Sequence, residues 1–447
     1  MTFRLDWQRL LSESRHHLGA HPVRVRENVA PANQDTRTPF ERDHDRVIFS
    51  APFRRLARKT QVHPFAEMDH IHNRLTHTLE VASVGRSLGY ALGRFIGERK
   101  ELPPARSVED IAYVVQSACL AHDIGNPPFG HAGEFAIREW VKENIATLFA
   151  DPIPDNSQGI ARDWMSFEGN AQSFRMVARA DNREQIYIRF TYASLGALIK
   201  YPWGSADPRA RTAKKFNYFA SEETIFHDVM ETLGLRRPDG EIVRHPLSFL
   251  SEAADDICYQ IGDFEDAVQM RILPEKEVRA IFSRIIGETY DRPLPAMRAR
   301  AIGCLVRAAN ASIEKNYEAI MSGERAAELP LKSDFPAHLQ DALRDIKERY
   351  PHIFSHRPKV AVELGAPPIL GKILGAYTSV VRTLSEYHDY DQLGFTQKRH
   401  FDLAWPEGYA RENQDKSYEW WLGRVMDFVA GMTDNYATQV AREIGGA

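Results

Sequence analysis

Residues 111–134 read IAYVVQSACLAHDIGNPPFGHAGE. Ile111, Val114, Val115 and Ala118 recur at steps of three and four, the period of a helix with one buried face. That helix must end at His122-Asp123, because Gly125 and the pair Pro127-Pro128 cannot continue it. A histidine and an aspartate at a helix end are aimed into a cleft instead of along a packed face. After Gly130 a second helix is predicted to begin, with His131 and Glu134 three apart on one face. A carboxylate so placed can orient the imidazole and raise its pKa, and the helix N-terminus beneath favours an anion. The same spacing also suits an ordinary surface contact.

Outward from this stretch the helical period persists. Leu75, Leu79, Ala82, Leu88, Leu92, Phe95 and Ile96 predict a helix that carries Arg74 and His77 at its start. From Pro246, Leu250, Ala254, Ile257 and Ile261 form an apolar stripe, while Asp255, Tyr259 and Asp263 fall every four residues on the neighbouring strip. Trp421, Val425, Phe428, Met432, Tyr436, Val440 and Ile444 predict one last helix, stopped by Gly445-Gly446. No alternating apolar segment competes, so the expected class is mainly α. Turn-rich stretches at 151–159, 201–210, 236–246, 321–336 and 350–368 are too short and too mixed for flexible linkers. One continuous helical body is expected, with a metal-binding core over residues 1–270 and a helical C-terminal region over 271–447 packed on it.

Composition narrows the class further. Hydrophobic residues at 43% and charged residues at 26% are those of a globular protein, and a net charge of -4 gives no global attraction to nucleic acid or anionic membrane. An anionic ligand must therefore be held by a local cluster. Cys119, Cys258 and Cys304 form no close pair, which argues against a disulfide framework or a zinc knuckle and for a reducing cytoplasm. The N-terminal MTFRLDWQRLL mixes charges into its apolar residues, and no apolar run approaches the roughly 18 residues of a spanning helix. Neither a signal peptide nor a membrane span is expected. The stretch from Glu41 to Arg58 is dense in both signs, as in a salt-bridged helix face or a ligand-binding one.

His77, His122, Asp123 and the pair Asp255-Asp256 supply imidazoles and carboxylates at wide intervals, the ligand types of a hydrolytic metal that keeps positions open for water and substrate. Such donors suit a first-row divalent ion, with Mn, Fe, Co, Ni, Zn and Mg all compatible. No glycine loop for phosphate competes, since Gly371-Lys372 is followed by Ile373 and lacks the P-loop spacing.

Six strings in order, RLTHTLEV (74–81), AHDIGNPPFGHAGE (121–134), FEGNAQSFR (167–175), LIKYPWGS (198–205), SEAADDICY (251–259) and AGMTDNYA (430–437), resemble the deoxyguanosine triphosphate triphosphohydrolases of the HD-domain phosphohydrolases. The resemblance runs from about residue 35 to 440. It implies metal ligands His77, His122, Asp123 and Asp255, since the family pattern of Asp, Tyr four later and Asp four later again is completed by Tyr259 and Asp263; Asp256 then has a supporting role. It implies a catalytic dyad of His131 and Glu134 near the α-phosphate, and Arg74 on phosphate oxygens. Gln61, within Lys59-Thr60-Gln61-Val62, would contact the deoxyribose. Tyr259 and Asp263 would line the sugar and bind its 3′-hydroxyl, with the Tyr259 ring excluding ribonucleotides. Lys215 is a further candidate phosphate contact, or a solvated lysine. Asn126 departs from the family, many of whose members carry a histidine there; an asparagine can hydrogen-bond but cannot titrate.

The activity implied is metal-dependent hydrolysis of deoxynucleoside triphosphates to deoxynucleoside and intact triphosphate, with Mn²⁺ or Mg²⁺ the foremost cofactors. A homo-oligomer, tetramer or hexamer, and an activating nucleotide are implied as well. Two rival readings stand beside it. One is an HD-type nucleotide phosphatase or phosphodiesterase, which shares the ligand order but not FEGNAQSFR and AGMTDNYA. The other is a nucleotide-sensing or single-stranded nucleic-acid-binding regulator with weak hydrolysis, using a basic patch of Arg54, Arg55, Arg58 and Lys59.

Overall fold

Asn73 and Ser107 start the two helices on which the rest is assembled. The Asn73 side chain accepts from Thr76 N while Thr76 Oγ1 accepts from Asn73 N, and Ser107 and Asp110 make the same reciprocal pair, so two otherwise free donors are satisfied at each N-terminus. The helices Arg74–Glu98 and Val108–Ala121 then pack along Gly85, Gly89 and Gly93. A Cβ on Gly89 would lie 2.8 Å from Ala112 Cα, so the small residues let the two backbones approach closely. This contact fixes the rotation of the 74–98 helix. Val81, Leu88, Leu92 and Ile96 turn inward, each buried side chain contributing about 1.5–3 kcal/mol. Leu79, expected on the buried stripe, is instead exposed, because the glycine stripe turns it to the outside.

The computed structural model describes residues 3–16, 36–61, 71–149, 152–179, 188–289 and 291–445. Among these there are 22 α-helices and only isolated bridges, at Thr60 with Asn73, Gly204 with Tyr218 and Arg236 with Ile242. The mainly α expectation is met. One buried apolar cluster gathers the 74–98, 108–121 and Pro246–Gln269 helices and runs on to Ile353. A second joins residues 129–171 to residues 366–441. Residues of both clusters, Tyr259 and Phe354 from the first and Phe129 from the second, line one cavity.

Two local expectations are corrected. The stretch 350–368 is largely helical: Pro351 lies inside the helix Ala337–Phe354, and Pro367 and Pro368 lie inside Arg357–Tyr387. Tertiary packing overrides the breaking tendency of these prolines. The last predicted helix is two, Tyr418–Gly431 and Asp434–Gly445, parted at the extended Met432 (φ -69, ψ 151). The break frees the Asp434 carboxylate, which accepts from Phe129 N at 2.9 Å and from Thr60 N at 2.9 Å. Val62 and Gly446 lie outside the described residues.

Candidate metal centre and its cavity

His77 sits in the first turn of the 74–98 helix, His122 caps the 108–121 helix, and Asp255 lies in the third turn of the 246–269 helix. Their donor atoms all come within 4.8 Å of one another. Asp255 Oδ1 is 3.3 Å from His77 Nε2 and 3.5 Å from His122 Nε2, and Asp123 Oδ1 is 3.6 Å from His122 Nε2. His122 Nδ1 lies 2.6 Å from the Cys119 carbonyl. A carbonyl can only accept, so that nitrogen carries the proton and Nε2 offers its lone pair to the cluster. Two imidazoles and a carboxylate converging in this way fit a divalent first-row ion, and no thiol is among them. Asp256, one residue on, is turned about 100° around the helix axis and pairs with Lys332 at 2.8 Å; burial pushes its carboxyl up to about 6.

The carboxylates of Asp123 and Asp255 are held by cations. Burial penalises charge on Asp123, but Arg74 and then the two histidines more than offset it and hold the carboxyl well below the usual range. Arg74 Nη1 donates to Asp123 Oδ2 at 2.7 Å, and the Asn126 amide donates to Oδ1. The unusual Asn126 thus holds the aspartate by a hydrogen bond that needs no titration. Asp255 is likewise penalised by burial and rescued chiefly by Lys200, whose Nζ donates to Oδ2 at 2.6 Å. Nothing in the string LIKYPWGS marks Lys200 for this role. The helix Tyr192–Leu198 ends beside it, and Asn217 Oδ1 accepts from Lys200 N and Tyr201 N, which turns the lysine inward. No local signal separates such a lysine from a solvated one.

His131 and Glu134 open the helix His131–Glu143 as expected. His131 Nδ1 is 2.9 Å from Glu134 Oε2, with the imidazole 85% exposed at the cavity mouth and the carboxylate buried. Gly169 N donates to the other oxygen at 2.8 Å. Burial raises the Glu134 pKa, but His131 and Lys215 outweigh it and bring it down to about 2. Lys215 pairs with the buried Glu168 at 2.9 Å and also lines the cavity. FEGNAQSFR therefore acts as a frame: Gly169 steadies the dyad, Ser173 Oγ accepts from Gly125 N and donates to His122 O, and Gln172 and Arg175 bind Asp427.

The cavity has a volume of about 440 Å³, within the range of small-molecule sites. Gln61, Arg74 and Tyr259 are on its wall, and Gln61 Oε1 is buried without a partner among the described residues. Asp263 is one turn behind Tyr259, bonded to it and away from the lining; burial raises its pKa well above the usual value. Phe354, Lys359, Val362 and Glu363 form the far wall, which was missed because 350–368 reads as turns. Arg54 and Arg58 are exposed, but Lys59 is not part of a surface patch. It is 2% exposed, donates to Asn126 O and Ala430 O at 2.6 Å each, and burial lowers its pKa to about 7. Among the described residues no helix is long and apolar enough to cross a membrane.

A helical frame presenting two histidines and an aspartate pair in the order His, His-Asp, Asp defines an HD-type centre. Residues 74–157 match the HD domain family model. Over 461 residues, 99% of each chain, the sequence is 40% identical to a deoxyguanosinetriphosphate triphosphohydrolase-like protein of Pseudomonas aeruginosa (strain LESB58). It is 32% identical to one from Synechocystis sp. over 99% of each chain. To the deoxyguanosinetriphosphate triphosphohydrolase of Enterobacter sp. (strain 638) it is 28% identical, over 91% of this chain and 93% of that one. The chain belongs to the deoxyguanosinetriphosphate triphosphohydrolase-like family of HD-domain phosphohydrolases.

Proposed function

We propose that the protein hydrolyses deoxynucleoside triphosphates at the α-phosphorus, releasing deoxynucleoside and intact triphosphate. The observation that carries this reading is the convergence of the His77, His122 and Asp255 cluster, the His131–Glu134 dyad and the cations Arg74, Lys200 and Lys215 on one cavity. His77, His122, Asp123 and Asp255 would hold a divalent ion, Mn²⁺ or Mg²⁺ foremost. Such an ion supplies Lewis-acid polarisation of a phosphoryl oxygen and lowers the pKa of water.

The chain's own groups do the rest. Arg74, Lys200 and Lys215, each already facing a carboxylate, offset the triphosphate charge where it builds up. Glu134 fixes His131 through Nδ1, so the other ring nitrogen is left to move a proton at the attacking water or the departing 5′-oxygen. Gln61 Oε1 can only accept, which suits a sugar hydroxyl donor. The Tyr259 ring on the same wall would crowd a 2′-hydroxyl, and Asp263 behind it holds the phenol.

The test is to incubate Mn²⁺- or Mg²⁺-loaded protein with each of the four deoxynucleoside triphosphates, alone and mixed, and to resolve products by ion-pair chromatography. Deoxynucleoside with intact triphosphate is expected. Stepwise phosphate release would replace the proposal with a phosphatase, and no turnover with any metal or mixture would leave a nucleotide-binding role. Activity confined to mixtures would reveal an activating nucleotide, and sedimentation velocity would give the size of the homo-oligomer.

A further inference from the structure

The segment AGMTDNYA at 430–437 contributes no side chain to the cavity wall. Its Asp434 is nevertheless 3% exposed and spends both oxygens on cavity-bearing segments. Oδ1 accepts from Phe129 N at 2.9 Å; Oδ2 accepts from Thr60 N at 2.9 Å and from Thr60 Oγ1 at 2.6 Å. Ala430 O, at the end of the preceding helix, accepts from Lys59 Nζ, which also donates to Asn126 O. Residues 59–60, 126–129 and 430–434 are thus cross-braced through buried and part-buried hydrogen bonds.

What the brace touches gives it a functional meaning. Phe129 has φ 66 and Gly130 φ 59, so a non-glycine residue is held in the left-handed region two residues before His131. That conformation costs of order 1 kcal/mol or more and persists only where neighbours fix it. Thr60 immediately precedes Gln61 on the cavity wall. The helix Asp434–Gly445 has its own apolar anchors, Ala437, Val440 and Ala441, so its docking does not depend on the carboxylate.

We infer that Asp434 is a positioning residue: it holds the loop between the metal-ligand pair and the dyad, setting His131 at its working place. The inference rests on the function proposed above for His131. A carboxylate is required, because an amide would turn an N–H toward either Phe129 N–H or the Thr60 donors.

The experiment compares the metal-loaded full chain as wild type, D434N, H131A and the double variant, with kcat and KM for deoxynucleoside triphosphates, Mn²⁺ affinity, and hydrogen exchange of the peptide spanning 126–134. D434N should lower kcat by about 100-fold, leave KM and Mn²⁺ affinity within about threefold, and speed exchange of that peptide. The double variant should be no slower than H131A, because both changes remove one contribution. Asp434→Glu should restore part of the loss. Should D434N not fold, Thr60→Ala removes one donor alone and should give the same kcat-against-KM split with about a threefold to tenfold loss. Unchanged kcat and exchange, or losses that multiply in the double variant, would overturn the inference. If the wild type turns over no nucleotide, the proposed function fails, while the exchange data still decide whether Asp434 holds the loop.

Discussion

Gly125→Ala tests how tightly the loop after His122-Asp123 is seated on the helix Gly169–Ala178. A Cβ here would lie 2.1 Å from Ser173 N, 2.5 Å from the Gln172 carbonyl carbon and 2.6 Å from Gly169 O. All three are backbone atoms, so no rotamer change relieves them. With ordinary contact near 3.5 Å, the helix must retreat by roughly 1.4 Å. Overpacking of this kind costs about 1–3 kcal/mol. The retreat also stretches Gly125 N to Ser173 Oγ (3.0 Å) and Gly169 N to Glu134 Oε1 (2.8 Å), adding about 2–4 kcal/mol. The total, about 3–7 kcal/mol, is a large share of a typical stability of about 5–15 kcal/mol. Urea unfolding followed by far-UV circular dichroism measures it, with Gly97→Ala as control. A Cβ on Gly97 meets nothing within 4 Å, and that exchange should stabilise by up to about 1 kcal/mol. Seating on the helix is refuted if G125A unfolds within about 1 kcal/mol of the wild type, or if G97A is equally harmful.

Asp255→Asn should strip bound Mn²⁺ from the purified protein while helicity is retained; metal analysis giving a full equivalent in this variant would sink the centre. Lys200→Met removes the cation 2.6 Å from Asp255 Oδ2. Initial rates should show KM for triphosphate raised about tenfold as this charge-assisted contact leaves the cavity; an unchanged KM would contradict the assignment. His72 Nδ1 is 2.8 Å from Asp266 Oδ1 and Nε2 is 3.4 Å from Glu80 Oε2, and Asp266 first, then Glu80, raise its pKa to about 10. Because this exceeds the unfolded value of about 6.5, the stabilisation is complete below about pH 6.5 and lost as pH rises through about 10. His72→Gln should therefore destabilise more at about pH 6 than at about pH 10, and equal urea shifts at both would remove the ion pair as the cause.

Much of this protein is written in short-range pattern. Apolar residues at steps of three and four, Asn73 and Ser107 before two of the helices, and Gly125 with Pro127-Pro128 after His122 act within a turn or two of chain, so the sequence alone determined the helices around His77, His122 and Asp255, the mainly α class and the candidate ligand types. Tertiary structure decided what lies across long separations. It chose which face of the 74–98 helix is buried, leaving Leu79 outside, through a glycine contact with another helix. It turned Asp255 toward the histidines and Asp256 toward Lys332, brought Lys200 inward, and buried Lys59 among carbonyls from residues 126 and 430. It parted the last helix so that Asp434 could meet Phe129 and Thr60. Each of these depends on a partner more than 50 residues away or on the rotation of a whole helix, and neither leaves a local period, because burial and pairing are settled by packing between helices and not by spacing within one.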